Sequence, residues 1–212
     1  MKKMFCSFAL LLLFLSGCTA TMYTASEEQY RERSLTTESI STDGIALLPI
    51  TGANQTFNSV VSMAADSVLR SYQFSRYAGS RQVSNQLNNR GLVRDYQEMI
   101  NNYHSSGMID NSQMKKIGEA IEARYLLKIQ IGSLNSATDT ESDYDGDVYT
   151  TREKNVRIYG LLWDATNGNV VWEGASTALV EEEEYTVIRQ SDREFYEAAT
   201  SELIHKLLSP RS

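Results

Sequence analysis

The apolar positions fall into separate runs with two different periods. Phe8 to Leu15 is unbroken, and too short to span a bilayer, which takes about 20 apolar residues. Gly44 to Ile50 is a second continuous run; bounded by Gly44 and Pro49 it predicts a buried strand. Asn58 to Tyr72 places Val60, Val61, Ala64, Ala65, Val68, Leu69 and Tyr72 three and four apart, which predicts an amphipathic helix. Arg81 to Ser84 reads as a brief second strand. Asp95 to Tyr103 is helical through Tyr96, Met99, Ile100 and Tyr103. Ser112 is the expected N-cap of the next helix, whose face carries Met114, Ile117, Gly118 and Ile121. Tyr125 to Ile131 then alternates, as a strand with one wetter face does. Asn155 to Asp164 is apolar on both sides and predicts a central strand. Thr166-Asn167-Gly168-Asn169 carries the Asn-Gly signal of a tight hairpin, with Val170 to Val180 returning. Asp192 is placed to cap a last helix to Leu208 that buries Phe195, Ala198, Ala199, Leu203 and Leu207, with Pro210 beyond its end.

This mixture predicts an α+β (mixed α/β) fold. Its expected form is a twisted mixed sheet of about four to five strands, with a C-terminal antiparallel hairpin and helices packed on it. Three divisions follow. Residues 1–17 read as a signal peptide, 18–43 as a lipidated Cys with a flexible tether, and 44–212 as a single periplasm-facing domain. Thr19 to Asp43 is rich in Ser, Thr and Glu with no period, so it reads as solvated chain that could reach up to roughly 80 Å.

The address changes how the rest is read. Lys2 and Lys3 precede the first apolar run, which ends in Leu15-Ser16-Gly17-Cys18. That tetrad resembles the lipobox of bacterial lipoproteins, which implies diacylglyceryl transfer to the Cys18 thiol and acylation of its freed amine. Two or more chains hold a protein stably on a membrane, at about 0.8 kcal/mol per buried methylene. Thr19 in place of Asp favours the outer membrane, so the expected location is lipid-anchored there and periplasm-facing. Cys6 would leave with the signal, so neither of the chain's two Cys remains as a free thiol or for a disulfide. The whole chain has 20 Lys+Arg against 27 Asp+Glu, a formal charge of −7; loss of Lys2 and Lys3 leaves −9. That balance excludes nucleic acid as a partner, since phosphate contact needs a clustered basic face. It also predicts a body that stands off anionic head groups.

Candidate chemistry is sparse. His104 lies in an expected loop and His205 near the end of the last helix. No Gly-x-Ser-x-Gly, His-Glu-x-x-His or phosphate-cradling loop is present, so no catalytic residue and no resident cofactor are expected. One dense constellation remains: Glu141, Asp143, Asp145 and Asp147, after Asp139 and around Gly146. Alternating carboxylates before a Gly suit a hard cation such as calcium. However, the twelfth position counted from Glu141 is Arg152, with Glu153 one place late. An acidic, solvated loop between two strands is the competing and preferred reading. Glu181 to Glu184 reads as a solvated turn before the last helix, or as a docking patch for a basic partner. Tyr72, Phe74 and Tyr77 read as packing, with an exposed contact surface as the alternative.

Three segments carry a further resemblance: Ile45-Ala46-Leu47-Leu48-Pro49-Ile50; Ile117-Gly118 through Ala123-Arg124-Tyr125-Leu126-Leu127 to Ile129; and Leu162-Trp163-Asp164 with Thr166-Asn167-Gly168 and Val171-Trp172-Glu173. Together, over about residues 44–208, they resemble the curli-secretion-lipoprotein and penicillin-binding-protein-activator group, whose domain is similar to the N-terminal domain of the TolB translocation protein. The resemblance implies a fold and not an activity. Residues 132–155 depart from the channel-forming members, being too polar for lipid-facing strands. The function expected from these readings is a non-catalytic interaction or accessory module for an envelope protein, held to the membrane by its lipid. The alternatives are a self-associating subunit of an outer-membrane export or assembly apparatus, and a peptidoglycan-modifying enzyme.

Overall fold

The structure, a computed structural model, describes residues 21–50, 54–142, 148–182 and 190–210. In chain order these form β1 (Tyr23–Arg31), α1 (Thr37–Asp43), β2 (Ile45–Leu47), α2 (Gln55–Ser71), β3 (Tyr77–Ala78), α3 (Ser80–Asn89), α4 (Val93–Ser106), α5 (Asn111–Ile121), β4 (Tyr125–Ser142), β5 (Val148–Asp164), β6 (Asn169–Glu182) and α6 (Asp192–Leu208). The strands make one mixed sheet in the order β1-β6-β5-β4-β2-β3. β3, β2 and β4 run parallel; β4, β5, β6 and β1 are antiparallel. The expected α+β architecture is therefore observed, with six strands among the described residues.

Alternation along the strands divides the core into two. Ile45, Leu47, Leu127, Ile129, Val156, Ile158, Leu162 and Trp172 face α2 and α6, which also pack on each other. Ala46, Leu48, Leu126 and Trp163 face the opposite way, onto α3, α4 and α5. α3–α5 cover only the part of the sheet around β2, β3 and the adjoining ends of β4 and β5. Gly118 is where α5 comes closest: a Cβ there would lie 2.4 Å from Ala165 Cβ and 3.3 Å from the Ala123 carbonyl. At the β5–β6 turn Gly168 takes φ +73, as the Asn-Gly signal requires.

Several expectations are corrected. The tether does not run to Asp43: Tyr23–Arg31 is an edge strand paired with β6, and Thr37–Asp43 is a helix with a Thr36–Ser39 capping box. Its inward positions are polar, which hides the strand from a hydrophobic pattern. Ser26 Oγ donates to Glu202 at 2.6 Å, and Glu28 accepts from Trp172 Nε1 at 3.0 Å and Arg31 Nε at 2.7 Å. Arg81–Ser84 is helical, within α3, because Val83 and Leu87 are one turn apart and both buried. Asp110, not Ser112, caps α5, accepting from the Ser112 and Gln113 amides. Ser191, not Asp192, caps α6, in a capping box with Glu194. The two central strands are far longer than their apolar stretches. β4 and β5 continue as a pair through Asp139↔Thr151 to Ser142↔Val148. This arm is rich in Thr and Ser, solvated on both faces where described, and held by cross-strand pairing rather than by a core.

Candidate interaction surface

Beyond the α3–α5 layer, no described element covers the same side of β4, β5, β6 and β1. Register defines what it presents. Asn135, Asn155, Leu179 and Tyr23 form one cross-sheet row. Arg157, Thr177 and Ala25 form the next, and Gln130, Tyr159, Ala175 and Glu27 the third. The bulge between Glu28 and Tyr30 then keeps Tyr30 on this side, opposite Glu173, while Arg31 turns inward. Tyr23 is 63% exposed, Tyr30 47% and Tyr159 38%. A recess of about 410 Å³ lies in this face, lined by Gly132, Asn135, Asn155, Arg157, Tyr159 and Thr177. Arg157 pairs with Glu27 through Nη2 and lies over the Tyr159 ring, 5.5 Å from its centroid. Its Nε is buried with no acceptor among the described residues. Gly132 allows the close approach here, since a Cβ would fall 2.4 Å from the Arg157 carbonyl. The surface offers rings, amides, the Arg157–Glu27 pair and three further carboxylates: Glu153 in the recess lining, Glu181 opposite it and Glu173 opposite Tyr30. Among the described residues it presents no nucleophile held by a base.

Strand edges are the second feature. β2 accompanies β4 only as far as Leu127. Among the described residues, no strand pairs with β4 on that side from Lys128 to Ser142. Among the described residues nothing pairs with the outer edge of β1 either. Unpaired edges are templates for another strand.

Two further recesses lie at the ends of the parallel strands. At their N-terminal ends a cleft of about 890 Å³ is lined by Asp43, Arg76, Lys115, Glu119, Arg124 and Thr166. Its central charges satisfy each other: Arg124 reaches Asp43 at 2.6 Å and Asp164 at 2.7 Å. Burial pushes the Asp164 carboxyl up, but the bonds from Arg124 and Thr166 outweigh it and hold it below the ordinary range. At the opposite ends the chain leaves β2 for α2 on one face and β3 for α3 on the other. Such a divergence is where open α/β sheets bind ligands. The recess there, about 560 Å³, is lined by Pro49, Gln55, Asn58, Ser59, Ser80 and Ser84, and offers hydrogen bonds without charge. Nearby, Lys128 is buried and donates to the Pro49 carbonyl at 3.0 Å; burial lowers its pKa to about 8.

The residues singled out from sequence are dispersed. Cys18, Asp143, Asp145 and Asp147 lie outside the described residues, as do Glu183 and Glu184. Glu141 is in β4, paired with Tyr149, and its side chain is likewise outside the description. Among the described residues no three His, Cys, Asp or Glu side chains converge on one point. His104 is in the last turn of α4, not in a loop. His205 Nδ1 is 3.1 Å from the Tyr72 hydroxyl. Tyr72, Phe74 and Tyr77 are packing residues: their rings follow one another at 6.1 and 6.3 Å against the first core, and Tyr77 donates to Asp66 at 2.7 Å. Sequence reasoning missed Tyr23, Tyr30, Arg157 and Tyr159. The one available signal was the Tyr23–Tyr30 spacing in a segment otherwise free of large apolar residues.

No family model matches the chain, and no curated protein matches it. Among solved structures it is similar to the PelC dodecamer from Paraburkholderia phytofirmans at 14% identity and a TM-score of 0.42, covering 91% of this chain and 100% of that one. It is also similar to lipoprotein GNA1162 from Neisseria meningitidis, at 11% identity and a TM-score of 0.37, covering 70% and 88%. The LpoB C-terminal domain from Salmonella enterica matches at 12% and 0.37, covering 73% and 88%. At these values the likenesses assign no activity to this chain.

Proposed function

We propose that this chain is a lipid-anchored envelope module that works by contact rather than by catalysis, held to the outer membrane through Cys18. One observation carries the contact reading: the β4–β5 pair runs on beyond the helical layers, with β6 alongside it only as far as Arg152, and among the described residues no strand pairs with the other edge of β4 from Lys128 to Ser142. β4 has 18 residues, about 60 Å of strand. Its distal part, Asn135 to Ser142, is about 26 Å long and has no core of its own to serve. Its open edge supplies main-chain donors and acceptors to a strand of another protein, the usual route of β-augmentation. Acidic and hydroxyl side chains along the arm keep the edge from pairing indiscriminately. Photo-reactive residues at Asn135 and Thr138 in intact cells test this. A single dominant envelope partner is the expected capture; no capture at either position would sink the adaptor reading.

Self-association is the second reading, and a specific feature favours it. Among the described residues the sheet has unpaired edges on opposite sides, β1 and the distal part of β4. Pairing one with the other would be head-to-tail, the kind of contact that closes into rings. Light scattering on the lipid-free 19–212 body separates the two. A monomer at micromolar concentration counts against self-assembly.

A further inference from the structure

The position of β1 fixes how far the body can be from its anchor. Cys18 precedes Tyr23 by five residues, so the two Cα atoms cannot be more than about 18 Å apart whatever path the chain takes. Tyr23 shares a cross-sheet row with Leu179, Asn155 and Asn135. From that row β4 continues seven residues to Ser142, about 23 Å further. In the other direction β5 runs nine residues from Asn155 to Asp164, about 30 Å. Both ends of the long strands therefore lie farther from Tyr23 than the anchor can reach. A bilayer that meets Cys18 without cutting the protein must run alongside the sheet, not across its ends.

Of the two sides, the chemistry selects one. The far side of β1 is covered by α6, whose outer surface carries the exposed Arg193–Glu197 ion pair. The near side carries no described helix beyond α3–α5 and exposes Tyr23, Tyr30 and Tyr159 together, with Arg157 paired to Glu27 and the carboxylates of Glu153, Glu173 and Glu181 around them. Tyrosine is enriched at membrane–water interfaces, where the ring sits among head groups with its hydroxyl in water.

We propose that the β1 edge and the open face beside it are the membrane-apposed surface of this protein, with Tyr23, Tyr30 and Tyr159 at the level of the lipid head groups. The β4–β5 arm then lies along the bilayer surface instead of entering it, as its polar sequence demands. The open edge of β4 faces laterally, toward proteins embedded in the same membrane. This rests on the Cys18 anchoring proposed above, and it replaces the expectation of a body that stands clear of the lipid.

The test uses the full lipidated chain in phosphatidylethanolamine–phosphatidylglycerol vesicles that contain a head-group nitroxide lipid. With Cys18 held as a thioether, an introduced cysteine is the one free thiol for a fluorophore. The positions are Ala25→Cys and Thr177→Cys on the open face, Arg193→Cys on α6 and Glu119→Cys at the cleft end. Severalfold stronger quenching at 25 and 177 than at 193 and 119 is expected. Equal quenching at all four, or stronger quenching at 193 or 119, overturns the orientation. Intact mass measured on the same samples separates the two claims: a Cys18 without acyl chains removes the anchoring reading itself, whereas an acylated chain with reversed quenching removes only the orientation. Unquenched labels at 25 and 177, with a photo-reactive group at Tyr159 capturing one protein in cells, would make this face a protein interface and end the lipid proposal.

Discussion

Arg124 holds Asp164 with two nitrogens, Nε at 3.0 Å and Nη2 at 2.7 Å, and uses the third to reach Asp43 at 2.6 Å. The pair joins the start of β4 to the end of β5 and to the end of α1. Asp164, 3% exposed, also accepts from the Thr166 amide and hydroxyl at 2.9 and 2.7 Å. Asp164→Ala should cost about 1–3 kcal/mol, less than a fully buried pair because Arg124 stays partly solvated. Because the folded carboxyl is held below its ordinary value of 3.8, its contribution is complete above that pH and is lost as pH falls through the lower folded value. Urea unfolding of Asp164→Asn against the parent should therefore show a gap that narrows below about pH 4.

Lys128 gives the opposite pH signature. Burial lowers it from 10.5 to about 8, so the unfolded chain binds the proton more tightly than the folded one. Stability from this group therefore rises as pH climbs from about 8 to about 10.5. Lys128→Met should stabilise the protein at pH 7 by about 1–3 kcal/mol and flatten that rise. The Pro49 carbonyl that loses the ammonium keeps the Tyr96 hydroxyl at 3.4 Å. Matched denaturation curves at pH 7 and pH 10 check this; a steeper pH dependence in the variant would contradict it.

Arg31 ties the N-terminal strand to the last helix. It is buried, and its Nη2 donates to the Lys206 and Leu207 carbonyls at 3.1 and 2.8 Å, closing the C-terminal end of α6. Arg31→Ala should cost about 1–3 kcal/mol, with Glu28 left short of a partner. Removing residues 19–31 should do more: it uncovers the β6 edge and the Trp172 indole. A truncated protein as stable and monodisperse as the parent would show that β1 is dispensable.

Gly118 sets the α5–sheet distance. Alanine gains about 1 kcal/mol of helix propensity, but its Cβ would sit 2.4 Å from Ala165 Cβ. The overlap forces α5 outward, at about 1–3 kcal/mol. Gly118→Ala combined with Ala165→Gly should recover much of the loss, since the shared contact is then removed.

The two-core architecture was written in the chain. Helical spacing in Val60, Val61, Ala65 and Leu69, and double-sided apolarity in Val156 to Trp163, follow directly from burial. So does the Asn167-Gly168 turn. What escaped were segments whose structure depends on distant partners. β1 turns Ser26 and Glu28 inward, and these are satisfied by Glu202, Trp172 and Arg31. The distal arm exists because β4 and β5 pair with each other, with no apolar face to announce it. The candidate interaction surface is of the same kind. Tyr23 and Tyr159 are 136 positions apart in the sequence and share one sheet face only through the register of β6. The sequence by itself determined the elements that bury apolar surface and, through Leu15 to Cys18, the expected address. Only the tertiary structure decided that the segment from Tyr23 to Arg31 joins the sheet beside β6, because strand register is a relation between segments and leaves no periodic trace in either one.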